Sequence, residues 1–172
     1  MLLNIVAFCV FYALSALAYY FNHRYIYHTK PRGPRAIQAL WKIWAKFHMD
    51  HHRHWKQDDP ETKTYVKVPI VGKLAGLIII CSLCLLINPG AGLGVGGFFI
   101  VYGIRHGTIH GFKVANIFKP VNKDTHIYKH HMSHHMPGGL NVNHSGVHPF
   151  IDRLFGTYHD PDDILRRSSS DH

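Results

Sequence analysis

The chain has 172 residues, with 19 Lys and Arg against 10 Asp and Glu, and it contains 17 histidines. This length predicts one domain. A formal charge of +9 is compatible with nucleic acid, an anionic membrane surface or loops at the cytoplasmic face. The basic residues concentrate in segments 22–67 and 105–172, which alternate with nearly uncharged apolar runs. This alternation indicates a membrane protein and excludes a nucleic-acid module, whose basic residues would be spread over a polar fold.

The first apolar run, residues 2–21, carries no charge and is long enough to cross a bilayer as a helix. A signal peptide is the rival interpretation, because "ALA" at 16–18 resembles a cleavage site. No basic segment precedes the run, however, and the run is long for a signal peptide. After the helix-breaking "PRGP", apolar residues from 37 to 47 follow a spacing of three and four. This spacing predicts an amphipathic helix, and Trp41 and Trp44 suit a membrane interface.

The second and third apolar runs, 68–88 and 91–104, are separated by "NPG", which predicts a tight helical hairpin. Glycines in the third run would permit close helix packing. A hairpin that enters the bilayer without crossing it is the alternative. Cys81 and Cys84 have the C-x-x-C spacing, but their apolar surroundings favour buried small side chains over a redox or metal pair.

These elements predict an all-α integral membrane protein with about three transmembrane helices, one plus a hairpin. The positive-inside rule places the polar segments on the cytoplasmic face. Every histidine group then lies on that side, in a helical cap that holds a dinuclear metal site. We expect one membrane domain over residues 1–160 and a flexible C-terminal tail over residues 161–172.

Four histidine groups have the spacing of metal ligands: "HRYIYH", "HMDHH", "HGTIH" and "HMSHH". Residues three and four apart share a helix face, whereas neighbours diverge by about 100°. His51 and His52 would therefore serve two adjacent ions, and we expect His23 and His28, five apart, to bracket the same pair. The ten candidate ligands are His23, His28, His48, His51, His52, His106, His110, His131, His134 and His135.

Ten imidazoles over two ions give about five nitrogens each, which exceeds the closed tetrahedron of a structural zinc site. Imidazole suits zinc, copper, iron and nickel, so the residues alone leave the metal open. Weak, nonspecific metal tracts and pH sensors are the alternatives. Six further histidines are expected behind the ligands or at the surface. They are His54, His126, His130, His144, His148 and His159.

The four motifs in this order, with "DRLFGTYH" at 152–159, resemble the fatty acid hydroxylase/sterol desaturase superfamily over about residues 10–160. Within it, "NHRYIYHTKP" and "YKHHMSHHM" are most similar to the fatty acid 2-hydroxylase branch. The chain departs from the family pattern at 143–145, where "NHS" replaces an Asn-aromatic-Gly turn.

The resemblance implies a membrane-embedded, non-haem di-iron monooxygenase whose ligands are the ten histidines named above. It implies two iron ions, which zinc can replace in preparations, and O2 as co-substrate. A separate ferredoxin-like or cytochrome b5-like protein would supply electrons. The expected substrate is a lipid, with a fatty acyl chain as the leading class.

Two alternatives remain open. A sterol or carotenoid hydroxylase or desaturase of the same superfamily would share the histidine plan. A metal-binding membrane scaffold without turnover would share the metal site as well. A transporter is disfavoured, because its polar ligands would lie within the spans, and the apolar runs contain no histidine.

Overall fold

The computed structural model describes residues 1–30, 33–54, 70–111, 122–136 and 138–170. Within these ranges it contains seven α-helices, one π-helix and no strand, so the predicted all-α class is confirmed. The helices are α1 (Leu2–Asn22), the π-helix (His23–Tyr27), α2 (Arg35–His54), α3 (Ile70–Ile87), α4 (Pro89–Ile109), α5 (His126–His135), α6 (Pro149–Leu154) and α7 (Pro161–Ser170).

Helix α1 continues into the π-helix as one segment, Leu2–Tyr27, of 26 residues. In the described part of the chain it is the one helix long and apolar enough to cross a membrane; the apolar stretch of α3, Leu74–Ile87, is shorter. Only 6% of its most apolar window is buried. A core helix of a soluble protein would be mostly buried, so this exposure agrees with a helix that faces lipid.

The hairpin between α3 and α4 turns at Asn88. Its side-chain oxygen accepts hydrogen bonds from the backbone N–H groups of Gly90, at 2.8 Å, and Ala91, at 3.3 Å. Pro89 occupies the first helical position, where its missing N–H costs nothing. The predicted "NPG" turn is therefore a helix cap that ends one apolar helix and begins the next.

Helices α1 and α4 pack closely because α4 presents glycines to α1. A Cβ at Gly90 would collide with the backbone carbonyl of Asn4, and one at Gly94 with that of Phe8. The expectation that small residues allow close approach is confirmed at this contact. The two helices thus form a rigid pair whose ends carry histidines of two different groups.

Two small cores join the C-terminal part to this pair. One contains Ala16 and Tyr20 of α1, Phe98 of α4 and Ile151 of α6. The other is built around Met132 of α5, which is fully buried. Residues 138–148 and α6 are therefore held against α1, α4 and α5.

Residues 161–170, predicted as part of a flexible tail, form a helix in the structure. Asp162 and Asp163 occupy the first turn, where acidic side chains favour the positive helix end. Asp162 accepts an ion pair from Lys129 of α5 at 2.9 Å. Leu165 packs against the core around Met132. These contacts join α7 to α5 and its core.

Candidate metal centre

The structure brings the ten candidate histidines into two neighbouring groups. In the first group, one ring nitrogen from each histidine lies within 4.8 Å of the others, and the same holds in the second group. His135 adjoins the second group, with its Nε2 3.1 Å from that of His131. The first group contains His23, His28, His48, His52 and His134, and the second contains His51, His106, His110 and His131.

The short separations between Nε2 atoms show that these ring nitrogens converge on a common region. His48 Nε2 lies 2.9 Å from the Nε2 of His23 and 2.9 Å from that of His28. In the second group, His110 Nε2 lies 2.9 Å from His131 Nε2. Two nitrogens about 2.1 Å from an ion, at right angles to one another, lie about 3.0 Å apart. The donor set therefore fits a metal ion with more than four ligands.

Adjacent histidines are divided between the groups. His52 contributes to the first group and His51 to the second, although both belong to α2. Helix α5 divides its adjacent pair in the same way, because His134 belongs to the first group and His135 adjoins the second. Each helix thus lies across both groups, because consecutive side chains diverge by about 100°. The rings of His52 and His135 stack at 4.2 Å between centroids and bring the groups into direct contact.

His23 and His28 differ from the sequence prediction, because both lie in the first group rather than on either side of an ion pair. The cause is the π-helix at His23–Tyr27. Its wider turn, with hydrogen bonds five residues apart, places residues i and i+5 on one side. The Nε2 atoms of the two rings are 3.2 Å apart. No sequence pattern considered above indicates a π-helix.

Backbone carbonyls fix the orientation of two rings in the first group. His134 Nδ1 donates to the Val142 carbonyl at 2.7 Å, and His23 Nδ1 donates to that of His144. A carbonyl only accepts, so each Nδ1 carries the proton and each Nε2 keeps its lone pair for the centre. Both acceptors belong to the segment 142–144, which connects α5 to α6.

Asp152 of α6 holds that segment in place. Its carboxylate accepts hydrogen bonds from the backbone N–H groups of His144, at 2.8 Å, and Ser145, at 2.9 Å. The hydroxyls of Ser145 and Thr157 also donate to it, the latter at 2.7 Å. Burial opposes its ionisation, but the hydrogen bond with His130, followed by those from the Ser145 and Thr157 hydroxyls, lowers the pKa of Asp152 to about 2.

Asp152 contacts the candidate site, and the histidine spacing did not assign it. The signal was present in "DRLFGTYH", which entered only as a family resemblance. No spacing rule connects this aspartate to histidines elsewhere in the chain. The connection appears only when the turn at 143–148 folds back on α6.

Burial favours the neutral form of several candidate ligands. It lowers the pKa of His28 to about 4, with a further contribution from His144. Desolvation, followed by repulsion from neighbouring histidines, also lowers the pKa of His52, His131 and His135. Neutral imidazole is the form that binds metal, so the rings need not lose a proton near neutral pH.

The remaining histidines take several places. His130 lies behind the ligands, with Nε2 3.1 Å from Asp152 Oδ2. The ring of His144 packs against that of His134, with 5.3 Å between centroids. His148 lies beside α1, with its Nε2 3.4 Å from the hydroxyl of Tyr12. His159 is exposed, and the side chain of His54 lies outside the described part of the structure.

A tyrosine pair connects the two groups on the side of α1 and α4. The hydroxyls of Tyr19 and Tyr102 are 2.7 Å apart. The ring of Tyr19 contacts His23 at 5.4 Å between centroids, and that of Tyr102 stacks on His106 at 5.1 Å. One hydrogen bond therefore couples a ligand candidate from each group through the packed helices.

The sequence matches the family model described as "Fatty acid hydroxylase" over residues 8–157. The chain belongs to the fatty acid hydroxylase family. The matched range contains all four histidine groups and Asp152. No curated protein and no solved structure matches the chain. Membership of the fatty acid hydroxylase family, together with the exposed apolar helix α1, identifies the chain as a membrane protein with histidine groups compatible with metal.

Proposed function

We propose that this protein is a membrane-bound, non-haem di-iron monooxygenase that hydroxylates an unactivated C–H of a lipid. The leading substrate class is a fatty acyl chain, with O2 as co-substrate and a separate electron donor. One observation carries the proposal: ten histidine rings from four distant segments meet in two adjacent groups in which their ring nitrogens lie close together. Family membership gives the reaction class, a lipid hydroxylase or desaturase.

The ten histidines would hold two iron ions, five nitrogens to each, with His135 completing the second set. Iron accepts imidazole ligands, and when bound it supplies the O2 activation that amino-acid side chains cannot provide. Neutral imidazole ligands would leave the positive charge of a bound metal pair uncompensated. Zinc accepts the same nitrogens, and metal analysis of the purified protein distinguishes the two.

The protein's own residues would orient the ligands and exclude water. Val142 and His144 carbonyls fix two tautomers, and Asp152 fixes the segment that carries those carbonyls. Met132 and other buried side chains of α5 close the site against water on one side. A dry, rigid site of this kind suits oxidation of an inert C–H, because stray water and alternative ring positions are removed.

We further propose that α1 crosses the bilayer and that α3 and α4 form a hairpin that goes out and returns, giving three spans. His23 directly follows α1, and His106 lies in the last turn of α4. These two helix ends must lie at one face of the membrane, since their histidines belong to adjacent groups. The excess of Lys and Arg in the polar segments supports the cytoplasmic face.

The test combines metal analysis with lipid analysis. Cells that express the protein with a competent electron donor are expected to accumulate an oxygenated fatty acyl lipid, and cells with His134→Ala are not. Purified wild type is expected to hold about two metal ions. The position of the new hydroxyl, read by mass spectrometry, tests the similarity to the 2-hydroxylase branch. If the oxygenated product were a sterol or carotenoid, that class would replace the fatty acyl chain as the substrate. If iron-loaded protein gave no oxygenated product at all, the result would favour the non-catalytic scaffold.

A further inference from the structure

Helix α2 carries an exposed line of basic side chains. Arg35, Lys42 and Lys46 are all exposed. They are spaced seven and four positions apart, which places all three within about 20° of one line along the helix. We call these three residues the basic stripe. The one acidic residue in the sequence of α2, Asp50, follows Lys46 by four positions and is half-buried. The exposed side chains of the stripe itself are all positively charged.

The basic stripe faces away from the metal centre on the same helix. His48 follows Lys46 by two positions and therefore points about 160° away from it around the axis. The inner side is fixed by Trp41, whose ring N–H donates to the carbonyl of Ile26 in the π-helix. Helix α2 thus separates solvent from the candidate ligands, and it contributes three of them.

The basic stripe also faces away from the apolar side of α2. Ile37 is 55% exposed and Trp44 is 39% exposed, and each follows a stripe residue by two positions. Both therefore lie about 160° around the helix from the stripe. An exposed Ile and Trp suit a membrane surface. If they face the bilayer, the basic stripe faces the aqueous phase, so a protein fits the stripe better than lipid head groups do.

We propose that the basic stripe is the docking surface for an acidic, one-electron carrier protein. This inference rests on the proposed function, which requires electrons from a separate donor. Opposite charge would steer the carrier to α2 and orient it there. The carrier would then lie about one helix diameter, roughly 10–12 Å, from the histidines on the other side of α2.

The electron balance requires repeated docking. Hydroxylation of one C–H by O2 consumes two electrons and two protons and yields the alcohol and one water. A one-electron carrier would give up one electron in each encounter, and the metal ions held by the ten histidines would accept it. Two encounters are needed in each cycle, so a weak, fast and salt-sensitive contact suits the task better than a tight complex.

The experiment measures binding separately from turnover. The full chain is placed in nanodiscs of neutral phosphatidylcholine, and the probe is the soluble haem domain of a cytochrome b5, with an acidic [2Fe–2S] ferredoxin as second probe. The test variant is Lys42→Glu/Lys46→Glu. The control is Lys123→Glu/Arg166→Glu, which makes the same charge change at exposed positions outside α2. Dissociation constants are measured at low and high salt.

We expect the α2 variant to weaken binding of one probe at least tenfold at low salt, and the control to change it less than twofold. Equal weakening by both variants would indicate a nonspecific charge effect and overturn the proposal, as would undetectable binding of both probes to wild type. If the α2 variant lost the tryptophan fluorescence response to added phosphatidylglycerol while its carrier binding stayed unchanged, the stripe would be assigned to lipid. Absence of lipid product from iron-loaded wild type would refute the proposed function, while the binding result would still decide the role of the stripe.

Discussion

Asp152 supports two of the histidine rings through the segment that it holds. In Asp152→Asn, the new amide N–H would face a donor group whose hydrogen bond the carboxylate now accepts. Leaving one buried donor unsatisfied costs about 1–3 kcal/mol of folding free energy. Disturbing a group that orients metal ligands lowers metal affinity by about 10- to 100-fold. We expect both losses, measured by thermal unfolding and by chelator competition.

Asp163→Asn is the matched control for this prediction. Asp163 is exposed, and among the described residues its ion pair runs along its own helix, with Arg166. An exposed pair of this kind contributes little. We therefore expect its unfolding midpoint and metal affinity to match wild type. Equal metal affinity in the Asp152 and Asp163 variants would show that the carboxylate at 152 does not position the ligands.

The division of adjacent histidines between two groups leads to a second prediction. His52 and His134 belong to the first group, whereas His51 belongs to the second. Each single change to Ala should leave about one ion resistant to a chelator. The pair His52→Ala/His134→Ala should still leave about one, because both changes affect the same ion. The pair His51→Ala/His134→Ala should leave almost no chelator-resistant metal, because each change affects a different ion.

Metal content by plasma mass spectrometry after dialysis against the chelator provides the measurement. His159→Ala, at an exposed position, is the control and should retain both ions. If both double variants lost the same amount of metal, the ten rings would form one shared site. The two-group arrangement would then be wrong.

At the level of elements, the contact between α1 and α4 depends on the small size of Gly94. A methyl group there would meet the carbonyl of Phe8, so one helix must shift. Overpacking of this kind costs about 1–3 kcal/mol. We expect Gly94→Ala to lower the unfolding midpoint of the protein in detergent. Gly103→Ala in the same helix is the control, because nothing lies within 4 Å of its added Cβ. A midpoint for Gly94→Ala equal to that control would show that the helices do not depend on this contact.

The helices themselves could be predicted wherever one local rule dominates. The apolar runs, the "NPG" cap and the three-and-four spacing in α2 each specify a helix from neighbours in sequence. The π-helix could not be predicted, because it inserts one extra residue into a helical turn. Its rings contact histidines of α2 and α5, which are distant in sequence. Helix α7 was missed for a related reason: its partner, Lys129, is 33 positions away from Asp162.

At the level of the whole molecule, the candidate site could be predicted because four separate histidine groups with ligand spacing point to a shared metal site. Spacing divided His51 from His52 correctly, since regular helix geometry applies there. It failed for His23 and His28, where the geometry is irregular. The support from Asp152 required knowledge of which distant turns meet, and a single sequence without that knowledge cannot supply it.

The crowding of neutral rings predicts an acid-sensitive metal-free protein. Burial lowers the pKa of His28 from 6.5 to about 4. Between those values the unfolded chain binds more protons than the folded one, so the free energy of unfolding falls as the pH falls from 6.5 towards 4. We expect the unfolding midpoint of metal-free protein to be lower at pH 5 than at pH 7.5. His28→Gln should show a smaller decrease, and His159→Gln the full decrease. A midpoint that is the same at both pH values in wild type would mean that these rings are already solvated or protonated, which is incompatible with a buried neutral ligand set.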